Sequence, residues 1–111
     1  MKEETRTTHL QQAQQKLAQN WNLSTGAGLP FDRQSLEDLL APALLNMLTD
    51  HFEELTQMMY RFDVPEQQFH AALAAPTLKE AAQSLAAYLI DRELQKIETR
   101  AIYAQGQNET Q

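Results

Sequence analysis

From Ala43 onward the apolar residues of this chain fall on a helical lattice. Leu45, Phe52 and Met59 stand seven residues apart, and Leu48, Leu55 and Phe62 form a second series offset by three. An a/d seam of three heptads belongs to a helix packed along one face, because a helical turn takes about 3.6 residues. A strand turns alternate residues to opposite faces and cannot bury that series. Composition agrees: Leu (16), Ala (15) and Gln (14) fill 45 of 111 positions, while Val occurs once and Ile three times. The abundant residues lose little side-chain freedom in a helix, whereas sheets are built from β-branched and aromatic ones. The fold class is therefore all-α, in a chain of one domain's length.

Punctuation divides the lattice. Residues 1–7 are polar, and 105–111 lack large apolar side chains, so both are expected to be flexible ends of a single helical domain over residues 8–104. Leu10, Ala13, Leu17 and Trp21 recur at three and four residues, the narrow stripe of a first helix. Gly26-Ala27-Gly28, followed by Leu29-Pro30, reads as a connector, since it carries neither a Walker lysine nor a GxGxxG spacing. Ser35, with Asp38 three residues on, offers a helix start. Pro42 lacks the N–H that would reach Asp38, which predicts a kink or break there. The central core helix then runs to about Phe62, because Val64 before Pro65 is pushed toward an extended conformation. A short helix places Phe69, Ala72 and Leu73 inward and stops before Pro76. Thr77 and Glu80 form a capping box that opens a long helix to about Ala104. The result is a small bundle of four to five helices with a long C-terminal one.

That last helix changes its face. Leu78, Ala82, Leu85 and Leu89 share one line, which continues as Arg92, Lys96, Arg100 and Tyr103, while the apolar residues rotate to Ile90, Leu94, Ile97 and Ala101. A helix with one partner keeps one stripe. A second partner is thus expected late in the helix: the first helix, a second copy of the chain, or both. The candidate interface is Leu10, Leu17, Trp21, Ile90, Leu94, Ile97, Ala101 and Tyr103, and the expected assembly is a homodimer.

Charge narrows the partners. The chain holds 15 Asp+Glu against 9 Lys+Arg, a net −6. Nucleic acid and anionic membranes are bound through clustered cations, so neither is expected. Residues 32–66 alone carry −6, centred on the outer face of the central helix at Asp50, Glu53 and Glu54. An electrostatic contact is expected between these acids and Arg92, Lys96 and Arg100, within the chain or across the dimer. Another protein with a basic surface is the other candidate partner.

Chemistry is sparse. His9, His51 and His70 form no HxxxH or HExxH pair, no Glu-x-x-His occurs, and no serine sits in a GxSxG elbow. Without cysteine there is no thiol nucleophile and no Cys-ligated zinc. No catalytic, cofactor or metal residue is assigned. The expectation is a non-enzymatic, cytoplasmic acidic helical protein that acts by association. Its alternative is a small-ligand or metal-binding module with a pocket between the central and final helices near His51, Tyr88 and Met58. Met47 and Tyr60, on the outer face of the central helix, are a further candidate interaction spot bordered by acids.

Overall fold

The computed structural model describes residues 2–21 and 32–109, with side chains for 8–17, 19 and 32–104. Among these residues the chain is a bundle of α1 (Lys2–Trp21), α2 (Arg33–Asp50), α3 (Phe52–Arg61), α4 (Glu66–Leu73) and α5 (Leu78–Glu109). The glycine connector and the Trp21 side chain lie outside the described residues.

Helix α2 starts earlier than Ser35 and Asp38 suggested. The carboxylate of Asp32 accepts the Ser35 N–H at 2.7 Å, satisfying one of the donors that a helix start leaves without a partner. That bond holds the Asp32 carboxyl below its ordinary pKa. The cap's contribution is thus present when Asp32 is ionised and is lost as pH falls through the lowered value.

Pro42 does not break α2, which runs through it to Asp50. It stands on the exposed side of the helix, where water can take the carbonyl that the ring leaves without a donor. The break falls instead at His51, whose backbone (φ −140°, ψ 49°) is not helical. Its N–H still donates to the Met47 carbonyl at 2.9 Å, and its carbonyl accepts the Leu55 N–H at 3.0 Å, so the joint is tight.

The buried seam keeps its phase across this joint. Leu36, Leu40, Leu44 and Leu48 are the buried stripe of α2, and Leu55, Met59 and Phe62 continue it after the break. Leu45 is half-buried, and Phe52 is 47% exposed. The series Leu48, Leu55 and Phe62 is thus buried across residue 51 as expected, and of the other series Met59 is buried while Leu45 and Phe52 lie at the edge of the stripe.

The end of α3 follows the Val64-Pro65 signal. Asp63 has a positive φ of 59°. Its N–H donates to the Tyr60 carbonyl at 3.1 Å, and the Val64 N–H donates to that of Met59 at 3.0 Å. These are the paired bonds of a Schellman cap, closed by the buried Met59 and Val64 side chains. Pro65 then leads into α4, where Phe69 and Ala72 are buried. At the start of α5 the Thr77 hydroxyl accepts the Glu80 N–H at 3.1 Å, the threonine half of the expected capping box.

Helix α5 is the spine against which α1, α2 and α4 pack. Ala82, Leu85, Ala86, Leu89 and Ile90 are all within 1% of full burial. From α2, Arg33 donates to the Ala87 carbonyl at 3.2 Å and pairs with Asp91. At about 1.5 Å per residue, the 32 residues of α5 span about 48 Å, close to the 50 Å long axis of the molecule.

The buried seam has a direct measurement. Leu44→Ala is expected to cost about 2–5 kcal/mol in urea unfolding, and Leu45→Ala less than half of that. Equal losses would restore Leu45 to the core.

Candidate functional site

The late half of α5 has its second partner within the chain. Leu17 of α1 and Ile90 of α5 are fully buried and Ile97 is 7% exposed, while Leu10 and Leu94 are half-buried against the same core. These residues of the candidate interface are spent inside one copy, because α1 lies on α5 and covers the rotated stripe. Ala101 and Tyr103 remain exposed.

Between α1 and α5 lies a carboxylate. Glu93 is fully buried, with Oε1 at 3.3 Å from Lys16 Nζ and Oε2 at 3.5 Å from Lys96 Nζ. Neither oxygen has a hydrogen-bond partner among the described residues, so the two ammonium charges hold it. The i,i+3 spacing of Glu93 and Lys96 announces half of this cluster. Lys16 was not foreseeable, since nothing in the sequence says how far along α5 the first helix sits.

The basic line of α5 is tied down mainly by the α3 cap. Arg92 Nε donates to the Asp63 carbonyl at 3.0 Å, and Lys96 Nζ is 3.7 Å from the Asp63 carboxylate and 5.5 Å from the centre of the Phe62 ring. Arg100 Nε donates to the Lys96 carbonyl at 3.3 Å. Lys16, Arg92, Lys96 and Arg100, together with Thr99, line a depression of about 390 Å³. Four of the chain's nine Lys+Arg therefore meet at one place. Their acidic neighbours among the described residues include Asp63 and Glu93. Asp50, Glu53 and Glu54 are exposed and make no ion pair among the described residues. Asp63 carries a sequence signal of its own, a non-glycine residue between the end of a helix and Val-Pro.

A second concavity, of about 480 Å³, opens between α3 and α4. The rings of Phe52 and Phe69 stack along it, with centroids 6.2 Å apart and planes 23° from parallel. Tyr60 lies on its edge, 85% exposed, and Asp63 and Glu66 border it. Glu66 is 3.6 Å from His70, a pairing that is ionic only when the imidazole is protonated. Met47, expected beside Tyr60 on the surface, is half-buried against the core. None of His51, Tyr88 and Met58, near which a ligand pocket was expected, lines this groove, and His51 is an exposed joint residue. Among the described residues no three His, Asp or Glu side chains converge in a metal-binding group. Nor is any helix there long and apolar enough to cross a membrane.

No protein family, curated protein or solved structure matches the chain. The reading of its surface rests on its own residues.

The buried acid makes a two-sided prediction. Replacing both lysines, in Lys16→Met with Lys96→Met, leaves Glu93 without a partner and is expected to cost about 3–5 kcal/mol in chemical unfolding. Glu93→Met, which removes the charge to be satisfied, is expected to be neutral or stabilising.

Proposed function

We propose that this chain is a non-enzymatic association protein that works in the cytoplasm as a homodimer. One observation carries the reading: one chain bears two surfaces of opposite charge. The cationic depression of Lys16, Arg92, Lys96 and Arg100 is one, and the exposed acids Asp50, Glu53 and Glu54 are the other. A two-fold axis that brings each surface onto its opposite in a second copy satisfies both at once and closes the assembly. A foreign protein with a basic surface would satisfy only the acidic one.

Exposed ion pairs contribute about 0–1 kcal/mol each. These charges therefore select the partner face and speed encounter, while apolar contact has to supply the residence time. The second reading, a small-ligand module, would use the α3–α4 groove, whose volume lies within the range of about 300–1,000 Å³ for ligand sites.

Light scattering at micromolar concentration is expected to give the mass of two chains, and a monomer would overturn the reading. Glu53→Lys with Glu54→Lys is expected to weaken association, most at low salt. Mixing that variant with Arg92→Glu/Arg100→Glu should recover it.

A further inference from the structure

The large exposed apolar side chains of the described residues are Phe52, Tyr60, Leu78, Ile102 and Tyr103. Four of these five fall in two places. Phe52 and Tyr60 flank the α3–α4 groove, and Ile102 and Tyr103, 69% and 68% exposed, stand near the end of α5. We infer that the groove is the seat for the distal end of α5 of a second copy, with Tyr103 entering between Phe52 and Tyr60. This inference rests on the homodimer reading and supplies the apolar contact that its charges lack.

Among the described residues the distal end of α5 is exposed all round. Every residue of α5 from Glu98 to Ala104 is exposed, so α1 and α2 have ended their cover before the helix does. A rigid helix cannot fold its tip back onto a groove beside its own shaft. Tyr103 follows Thr99 at four residues and Arg100 at three, so the aromatic ring ends the same line that carries Lys96 and Arg100. Glu98, on the side of Ile102, is the one exposed acid between Arg92 and Tyr103.

The groove has the opposite chemistry. Its floor is aromatic and its rim is acidic, with Asp63 and Glu66 in the lining and Glu53 on the adjoining side of α3. An incoming Arg100 meets that rim when Tyr103 is seated. A concavity of about 480 Å³ accepts an aromatic side chain and its neighbours. Such a ring buries about 150–250 Å² and offers edge-to-face or offset stacking on Phe52 and Tyr60. Asp63 lines the groove and also pairs with Lys96 on α5, so groove and basic line adjoin on one face of the molecule. A two-fold axis through that face gives each copy one tip to donate and one groove to fill.

The test uses the cysteine-free chain. Tyr60→Cys and Tyr103→Cys variants, mixed and oxidised, are expected to form a covalent 60–103 pair faster than either forms a pair with itself. Separately, Tyr60→Arg and Tyr103→Asp are each expected to raise the dimer dissociation constant at least about tenfold with unchanged helical circular dichroism, about 1.4 kcal/mol. Their mixture should dimerise again, because one contact is intact and the other joins opposite charges. If the wild type is dimeric and both variants dimerise as it does, this seat is wrong while the homodimer stands. If Tyr60→Arg alone dissociates the dimer, the occupant is another segment and the assignment of α5 fails. A monomeric wild type overturns both.

Discussion

Leu89 and Ile90 are consecutive on α5, and both are fully buried. Neighbouring residues on a helix point about 100° apart, so burying both requires cover on two sides at one level. Packing here depends on that requirement. Ahead of this level Ala81 with Ala82 and Leu85 with Ala86 are buried as consecutive pairs too; beyond it the buried face narrows to Ile90, Glu93 and Ile97, with Leu17 of α1 buried there as well. Truncating either side chain would therefore loosen two helix contacts rather than one.

Much of this was legible in the letters. The rotation of the α5 stripe, the stop at Val64-Pro65 and the Thr77 start are local patterns, and local patterns survive into the structure. What failed to transfer was the phase of one series. Leu44-Leu45 offers two candidates one residue apart, and a heptad drawn through Leu45 and Phe52 looks as regular as the four-residue ridge from Leu36 to Leu48 that is buried. Burial decides between them: Leu44 and Leu48 lead into the buried Leu55, Met59 and Phe62, while Leu45 and Phe52 lie at the edge, and the joint at His51 carries neither proline nor glycine to mark it. The site was less readable than the fold. Tyr60 stood out as an exposed aromatic and Phe69 as core, as found, but Phe52, at helical spacing, read as core and is exposed beside Phe69. Their stacking depends on how α4 swings back beside α3.

Charge is distributed with the same economy. An acidic chain spends four of its few cations around one depression and uses Asp63 and Glu93 to hold Arg92 and Lys96 in place. Asp63 has two tasks. Its positive φ ends α3, where glycine is the usual choice, and its carboxylate reaches α5. A glycine would relieve the backbone and take away one of the two carboxylates beside Lys96.

The buried carboxylate of Glu93 also decides where along α5 the first helix stops. Apolar stripes forgive sliding: moved by one turn, Leu10, Ala13 and Leu17 would meet other apolar neighbours at modest cost, and hydrophobic burial alone would leave several alignments close in energy. A charge under the seam changes that arithmetic. Moved by one turn, α1 would set Gln12 where Lys16 stands, Glu93 would keep only Lys96 as a cation, and such an alignment rises in energy. The residue that looks least suited to the interior is what makes the docking of α1 single-valued.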